Sequence, residues 1–235
     1  MPTIVFASSK GGAGKTTAAI ILASELARQG IDKGIGVSLI DVDPNQHSAK
    51  WALKDGCPSN LSITQNSTEE SIIDDIELSE DKNAFTLVDL EGTASMAVAS
   101  AISRADLVII LCQGSQDDAD EAVKTIKLIN RQCKVLRRKI DYSILFTRTN
   151  PAITPRTLKH IVSEFKSANI DVFKGSLIDR EAFRAIRSFG GTVNNLKPSE
   201  VSGIEKASNN AQSFAEEVKA KLKASIVNQA GVVNG

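Results

Sequence analysis

Short apolar runs alternate along the chain with longer segments whose apolar residues recur at helical spacing. The runs Ile4–Ala7, Val37–Ile40, Leu61–Thr64, Ala84–Val88, Leu107–Leu111 and Tyr142–Phe146, with a weaker one at Asp171–Phe173, read as strands. Segments 16–29, 69–77, 94–103, 117–135, 154–168, 181–188 and 200–224 read as helices. Several of the runs are apolar at consecutive positions, the pattern of parallel strands covered on both faces. The alternation predicts an α/β fold: a mostly parallel, twisted sheet of about seven strands with helices on both faces. No linker or repeat divides the chain, so residues 1–225 are expected to form one domain and 226–235 a flexible tail.

The first strand is followed by Lys10-Gly-Gly-Ala-Gly-Lys-Thr-Thr17, which opens the first helix. Glycines at 11, 12 and 14 let the backbone curl until successive N–H groups face one anion, and the helix N-terminus adds its positive end. In such a P-loop, Gly11, Gly12, Ala13 and Gly14 cradle phosphates, Lys15 bridges the β and γ phosphates, Thr16 offers its hydroxyl to Mg²⁺, and Thr17 reaches the α phosphate. The ordinary pattern places glycine at position 9, where this chain has serine, and a second lysine, Lys10, stands on the outer limb of the loop.

Asp41 and Asp43 follow the second apolar run and Asp89 ends the fourth. In a parallel sheet these positions lie at the carboxyl edge, where ligands bind. Asp41 and Asp89 are thereby placed to hold Mg²⁺ through its waters, and Asp43, further out, to orient or deprotonate an attacking water.

Composition narrows the class. The chain has 235 residues, 42% hydrophobic and 24% charged, which suits a globular domain. No apolar run approaches the roughly 20 residues of a membrane helix, so a cytoplasmic protein without membrane attachment is expected. Cys57, Cys112 and Cys133 form no metal or disulfide pattern. Twenty-eight basic residues balance 28 acidic ones, so any nucleic-acid binding must come from a local patch or from assembly of copies.

Lys10–Thr17, Asp41-Val-Asp-Pro44 and Val88-Asp-Leu-Glu-Gly92 resemble the signatures of the ParA/MinD class of deviant Walker-type ATPases. Within the class the chain is most similar to short ParA-type partition proteins, which lack an N-terminal DNA-reading extension, and to VirC-type proteins. The resemblance implies ATP and Mg²⁺ as cofactors and a homodimer that sandwiches two ATP molecules, with Lys10 reaching across to the partner's nucleotide. It also implies slow hydrolysis stimulated by a DNA-bound partner protein, nucleoid association through non-specific double-stranded DNA, and a role in DNA partition or positioning. Lys10, Lys15 and Asp43 would be the catalytic residues, and Arg148 a contact near the base.

Arg180, Arg184 and Arg187 recur at i, i+4 and i+7 and read either as one cationic helix face for DNA phosphates or, equally, as a solvated face; nothing acidic interrupts the stripe, although Glu181 is next to it. Two alternatives remain open. One is an ATP-dependent metabolic enzyme of the same fold, against which the second lysine speaks. The other is a MinD-like positioning ATPase that does not bind DNA, for which 226–235 lacks the basic amphipathic anchor.

Overall fold

A computed structural model of the chain describes residues 1–92 and 95–233, with side chains up to Ser225. The strands are β1 (Thr3–Ala7), β2 (Val37–Asp41), β3 (Leu61–Thr64), β4 (Phe85–Asp89), β5 (Leu107–Cys112), β6 (Asp141–Thr149) and β7 (Leu177–Ile178). The helices are α1 (Lys15–Gly30), α2 (His47–Ala52), α3 (Ile72–Lys82), α4 (Met96–Arg104), α5 (Gln116–Leu136), α6 (Arg156–Ser167), α7 (Glu181–Phe189) and α8 (Ile204–Val233). The sheet has the order β3-β2-β4-β1-β5-β6-β7, and every pairing in it is parallel. This is the doubly covered parallel sheet that the apolar runs predict.

Alternation along each strand divides the interior into two cores. Ile4 and Phe6 of β1, with Leu107, Ile109 and Leu111 of β5, face the layer of α1, α2, α7 and α8. Val5 and Ala7, with Val108, Ile110 and Cys112, face that of α3, α4, α5 and α6. Helix α1 is the most enclosed. Ala18 through Ala23 are all at most 1% exposed, because the helix lies between the sheet and α8. A helix apolar around most of its circumference is stable only in such a sandwiched position.

Several elements depart from the pattern reading. Asp171–Phe173 makes only an isolated bridge, Ile144 to Val172, and the seventh strand is the two-residue Leu177–Ile178. Helix α2 had no sequence signal, being too short to show a period. Helix α3 starts at Ile72 rather than 69, because the Ser67 and Ser71 hydroxyls both donate to Asp75 and hold residues 67–71 in a turn. It also runs on to Lys82, where the buried residue is the polar Ser79, hydrogen-bonded to Ser38. Helix α8 continues to Val233, and the side chains of the tail expected over 226–235 lie outside the described residues. No helix among the described residues is long and apolar enough to cross a membrane.

The strand order positions the site. β1 lies between β4 and β5, and β2 lies beside β4, so the carboxyl ends of β1, β2 and β4 adjoin, with Asp41 directly opposite Asp89.

Candidate functional site

The loop after β1 wraps a cavity of about 530 Å³ at the carboxyl edge, a volume suited to a small ligand. Gly12 and Gly14 hold φ of +77° and +98°, a backbone that side chains resist. Gly14 caps α1 without any side-chain hydrogen bond, so the N–H groups of the first turn remain available to an anion. The loop is anchored from outside. Thr147 of β6 donates its hydroxyl to Ala13 O at 2.7 Å, and Ser9, the residue that breaks the ordinary glycine pattern, donates to Glu121 O on α5 at 3.0 Å.

Gly11, Gly12, Gly14, Lys15, Thr16, Thr17, Asp43 and Arg148 all line this cavity. Lys15 is only 7% exposed. Burial lowers its pKa, and Asp89, Asp43 and Glu91 oppose that shift by favouring the charged form. His47 and Glu91 also line the cavity, although their sequence positions carried no firm signal.

Asp41 and Asp89 are fully buried beneath the loop and divide the work between them. Asp41 accepts the backbone N–H of Asp43 at 3.1 Å on one oxygen and that of Ala49 at 2.9 Å on the other. It therefore fixes the turn that carries Asp43 and starts α2. Burial raises its pKa, against the lowering effect of those two backbone bonds. Asp89 accepts the Ser48 hydroxyl at 2.7 Å on Oδ2, while Oδ1 is buried with no hydrogen-bond partner. Burial pushes the Asp89 pKa up to about 7; Ser48 and Thr16 hydrogen bonds lower it and the Asp41 charge raises it.

These residues fit a Mg²⁺ ion held chiefly by waters and phosphates. The orphaned Asp89 Oδ1 is an unused hard donor, and the Thr16 hydroxyl is near the same carboxylate. No cluster of three carboxylate, histidine or cysteine ligands occurs among the described residues.

Lys10 behaves differently from Lys15. It is about half exposed and turns away from its own cavity to pair with Asp118 Oδ1 at 2.7 Å, near the start of α5. The Ser115 hydroxyl holds the other Asp118 oxygen at 2.5 Å. Burial would raise the Asp118 pKa, but the Lys10 and Ser115 bonds outweigh it and hold the carboxyl below its usual range.

The three arginines do not form one free cationic face, which corrects the expectation drawn from their spacing. Arg184 is ion-paired to both Asp179 and Glu181. Arg180 is half-buried, with Nε enclosed and unpartnered. Arg187 turns toward the loop, where it lines the same cavity and donates to Thr17 Oγ1 at 3.4 Å. Helical spacing told which residues share a side of α7, but not what that side meets. A second cavity of about 340 Å³ adjoins the first and is walled by Leu177, Ile178, Phe183 and Arg180. The two cavities share Gly14, Thr17, Arg148 and Arg187.

The family model described as VirC1 protein matches residues 1–227. A protein of Rhizobium radiobacter named Protein ParA is 36% identical over 222 residues, covering 94% of this chain and 98% of its own length. Protein virC1 of Rhizobium rhizogenes is 27% identical over 195 residues, covering 81% of this chain and 82% of its own. Among solved structures, an ATP complex of McdA from Cyanothece superposes with a TM-score of 0.71 at 17% identity, covering 93% of this chain and 96% of that one.

Proposed function

The chain belongs to the VirC1 protein family, within the ParA/MinD class of P-loop ATPases, and from that premise we propose that it is a nucleotide-switched ATPase that pairs with a second copy around ATP. The observation that carries the proposal is the contrast between the two lysines. Lys15 lies in its own cavity, whereas Lys10 is held outside it by Asp118 and is free to serve another copy's nucleotide once that pair opens.

In this reading residues 1–225 act as one ATPase domain. Lys15 and the first-turn N–H groups of α1 bind the β and γ phosphates. Mg²⁺, held by Thr16 and by Asp89 through water, would supply charge neutralisation between those phosphates. Asp41 holds the turn at Asp43, and Asp43 orients the attacking water and accepts its proton as the γ-phosphorus–oxygen bond to ADP breaks. Lys10 of the second copy neutralises charge on the transferring phosphoryl group. Loss of that group removes the charge that holds the copies together, so hydrolysis resets the assembly.

In this reading the cargo is DNA, as the resemblance to ParA-type partition proteins implies. Contact with double-stranded DNA would be sequence-independent and salt-sensitive, would double on pairing and would place the protein on the nucleoid. A DNA-bound partner would then stimulate turnover.

Light scattering with Mg-ATP, Mg-ADP and no nucleotide tests the switch, alongside gel shifts on duplex DNA in the same three states. A dimer and a DNA shift are expected with ATP only. A monomer under saturating Mg-ATP would overturn the reading.

A further inference from the structure

Arg187 lines the first cavity, and the ATPase reading assigns it no role. Its guanidinium reaches across 170 positions of sequence to the Thr17 hydroxyl, and no carboxylate pairs with it among the described residues. Arg184, one turn earlier on the same helix, pairs with two.

The backbone beneath Arg187 is held in place by α2. Lys54, just past that helix, donates to Arg187 O and Ser188 O at 2.8 Å each, satisfying carbonyls at the end of α7 with a positive charge. The Trp51 indole donates to Gly191 O at 3.0 Å. The approach is so close that a Cβ on Gly190, where φ is +90°, would lie 2.4 Å from Lys54 Cβ. Because α2 begins directly after the Asp43 turn, the end of α7 is clasped by an element that itself leaves the cavity.

The position of Arg187 identifies the group it meets. If the triphosphate of a nucleotide lies in the larger cavity and its nucleoside in the adjoining smaller one, the two parts are joined at the wall the cavities share. That wall is Gly14, Thr17, Arg148 and Arg187, and the part of a nucleotide that crosses it is the phosphate next to the ribose. We propose that Arg187 is a nucleotide-binding residue that contacts this α phosphate, positioned by the Lys54–Trp51 clasp, and is not part of a DNA surface. A guanidinium suits the place, since its planar fork of donors can hold a phosphate oxygen and the Thr17 hydroxyl together.

The inference rests on the nucleotide reading of the cavity, and calorimetric titration separates the two. Mg-ADP and Mg-AMPPNP are titrated into the wild type, Arg187→Ala, Arg187→Lys and Lys54→Met, with nucleotide-free melting temperatures measured in parallel. Arg187→Ala is expected to weaken both nucleotides by the same factor, about tenfold or more for a lost charge-assisted contact. Its nucleotide-free melting temperature should stay near that of the wild type. Arg187→Lys should fall between the two, and Lys54→Met, which keeps the guanidinium but opens the clasp, should weaken both nucleotides by a smaller factor.

The proposal is overturned if Arg187→Ala binds both nucleotides as the wild type does, or loses affinity for Mg-AMPPNP alone. It is also overturned if the loss follows a matching fall in nucleotide-free stability. Should Arg187→Ala fail to fold, Arg187→Lys decides, and wild-type affinity for both nucleotides in that variant overturns the proposal. A wild type that binds neither nucleotide overturns the ATPase reading itself, and the role of Arg187 with it.

Discussion

Asp89→Asn should make the nucleotide-free protein more stable at neutral and alkaline pH while disabling its chemistry. Asp89 is wholly buried, and one of its oxygens has no hydrogen-bond partner. Its pKa rises from 3.8 to about 7 in the folded chain, burial being the main cause. The sign follows from proton linkage. Between those two values the folded protein keeps a proton that the unfolded chain has lost, so stability falls as pH rises through that window, and the full cost is present above pH 7. Three pH units at about 1.4 kcal/mol each amount to a cost of up to about 4 kcal/mol. Asparagine titrates in neither state and escapes it. Asp89 also favours the charged form of buried Lys15, so losing that carboxylate trims part of the gain. Urea midpoints measured with chelator from pH 5 to pH 8 provide the assay, because the difference between the two proteins cancels every group they titrate alike. The variant should pull ahead progressively across the range, and saturating Mg-ATP should reverse the order by stabilising the wild type more. Parallel curves, or a variant weaker than the wild type at pH 8 without nucleotide, would refute the reasoning.

Further outcomes follow from the same geometry. Asp43→Ala should retain Mg-ATP binding and the ATP-loaded dimer while steady-state phosphate release falls about 100-fold or more; release at the wild-type rate would remove Asp43 from its role. Lys10→Ala should bind ATP in calorimetry with near wild-type affinity yet fail to pair with a second copy in light scattering. Asp118→Asn, which loosens the hold on Lys10, should lower the protein concentration at which ATP-dependent pairing appears in sedimentation, and an unchanged concentration would show that the pair restrains nothing. Gly190→Ala should cost about 2 kcal/mol or more in chemical denaturation, since its positive φ and the contacts with Lys54 Cβ at 2.4 Å and Asp55 O at 2.8 Å both oppose a side chain.

What the sequence disclosed, and what it withheld, divides by distance along the chain. The phosphate loop is a local event: strand, glycines and helix start lie within Thr3–Thr17, and the structure brings Gly11, Gly12, Gly14, Lys15, Thr16 and Thr17 to one cavity. The apolar runs likewise marked six of the seven strands, because burial on both faces leaves a contiguous signature. The remaining strand is two residues long, and α2 is six, too short in either case for a period to emerge. The Lys10–Asp118 pair joins residues 108 positions apart, and no spacing rule links them. Arg184 and Arg187 show the same limit from another side. Both sit on α7, yet one is neutralised by neighbouring carboxylates and the other faces a loop from the opposite end of the chain.

The strand order bears on how the protein is made as well as on how it works. β1 sits at the middle of the sheet, yet it is synthesised first, and its hydrogen-bonding neighbours, β4 and β5, begin at Phe85 and Leu107. A nascent chain therefore carries a bare Ile-Val-Phe segment until β4 and β5 have left the ribosome. The glycine-rich loop attached to that strand gains its outer anchors only when later residues arrive, since Thr147 and Glu121 supply them. Translation arrested before residue 147 should leave a product unable to retain nucleotide, however intact its signature residues.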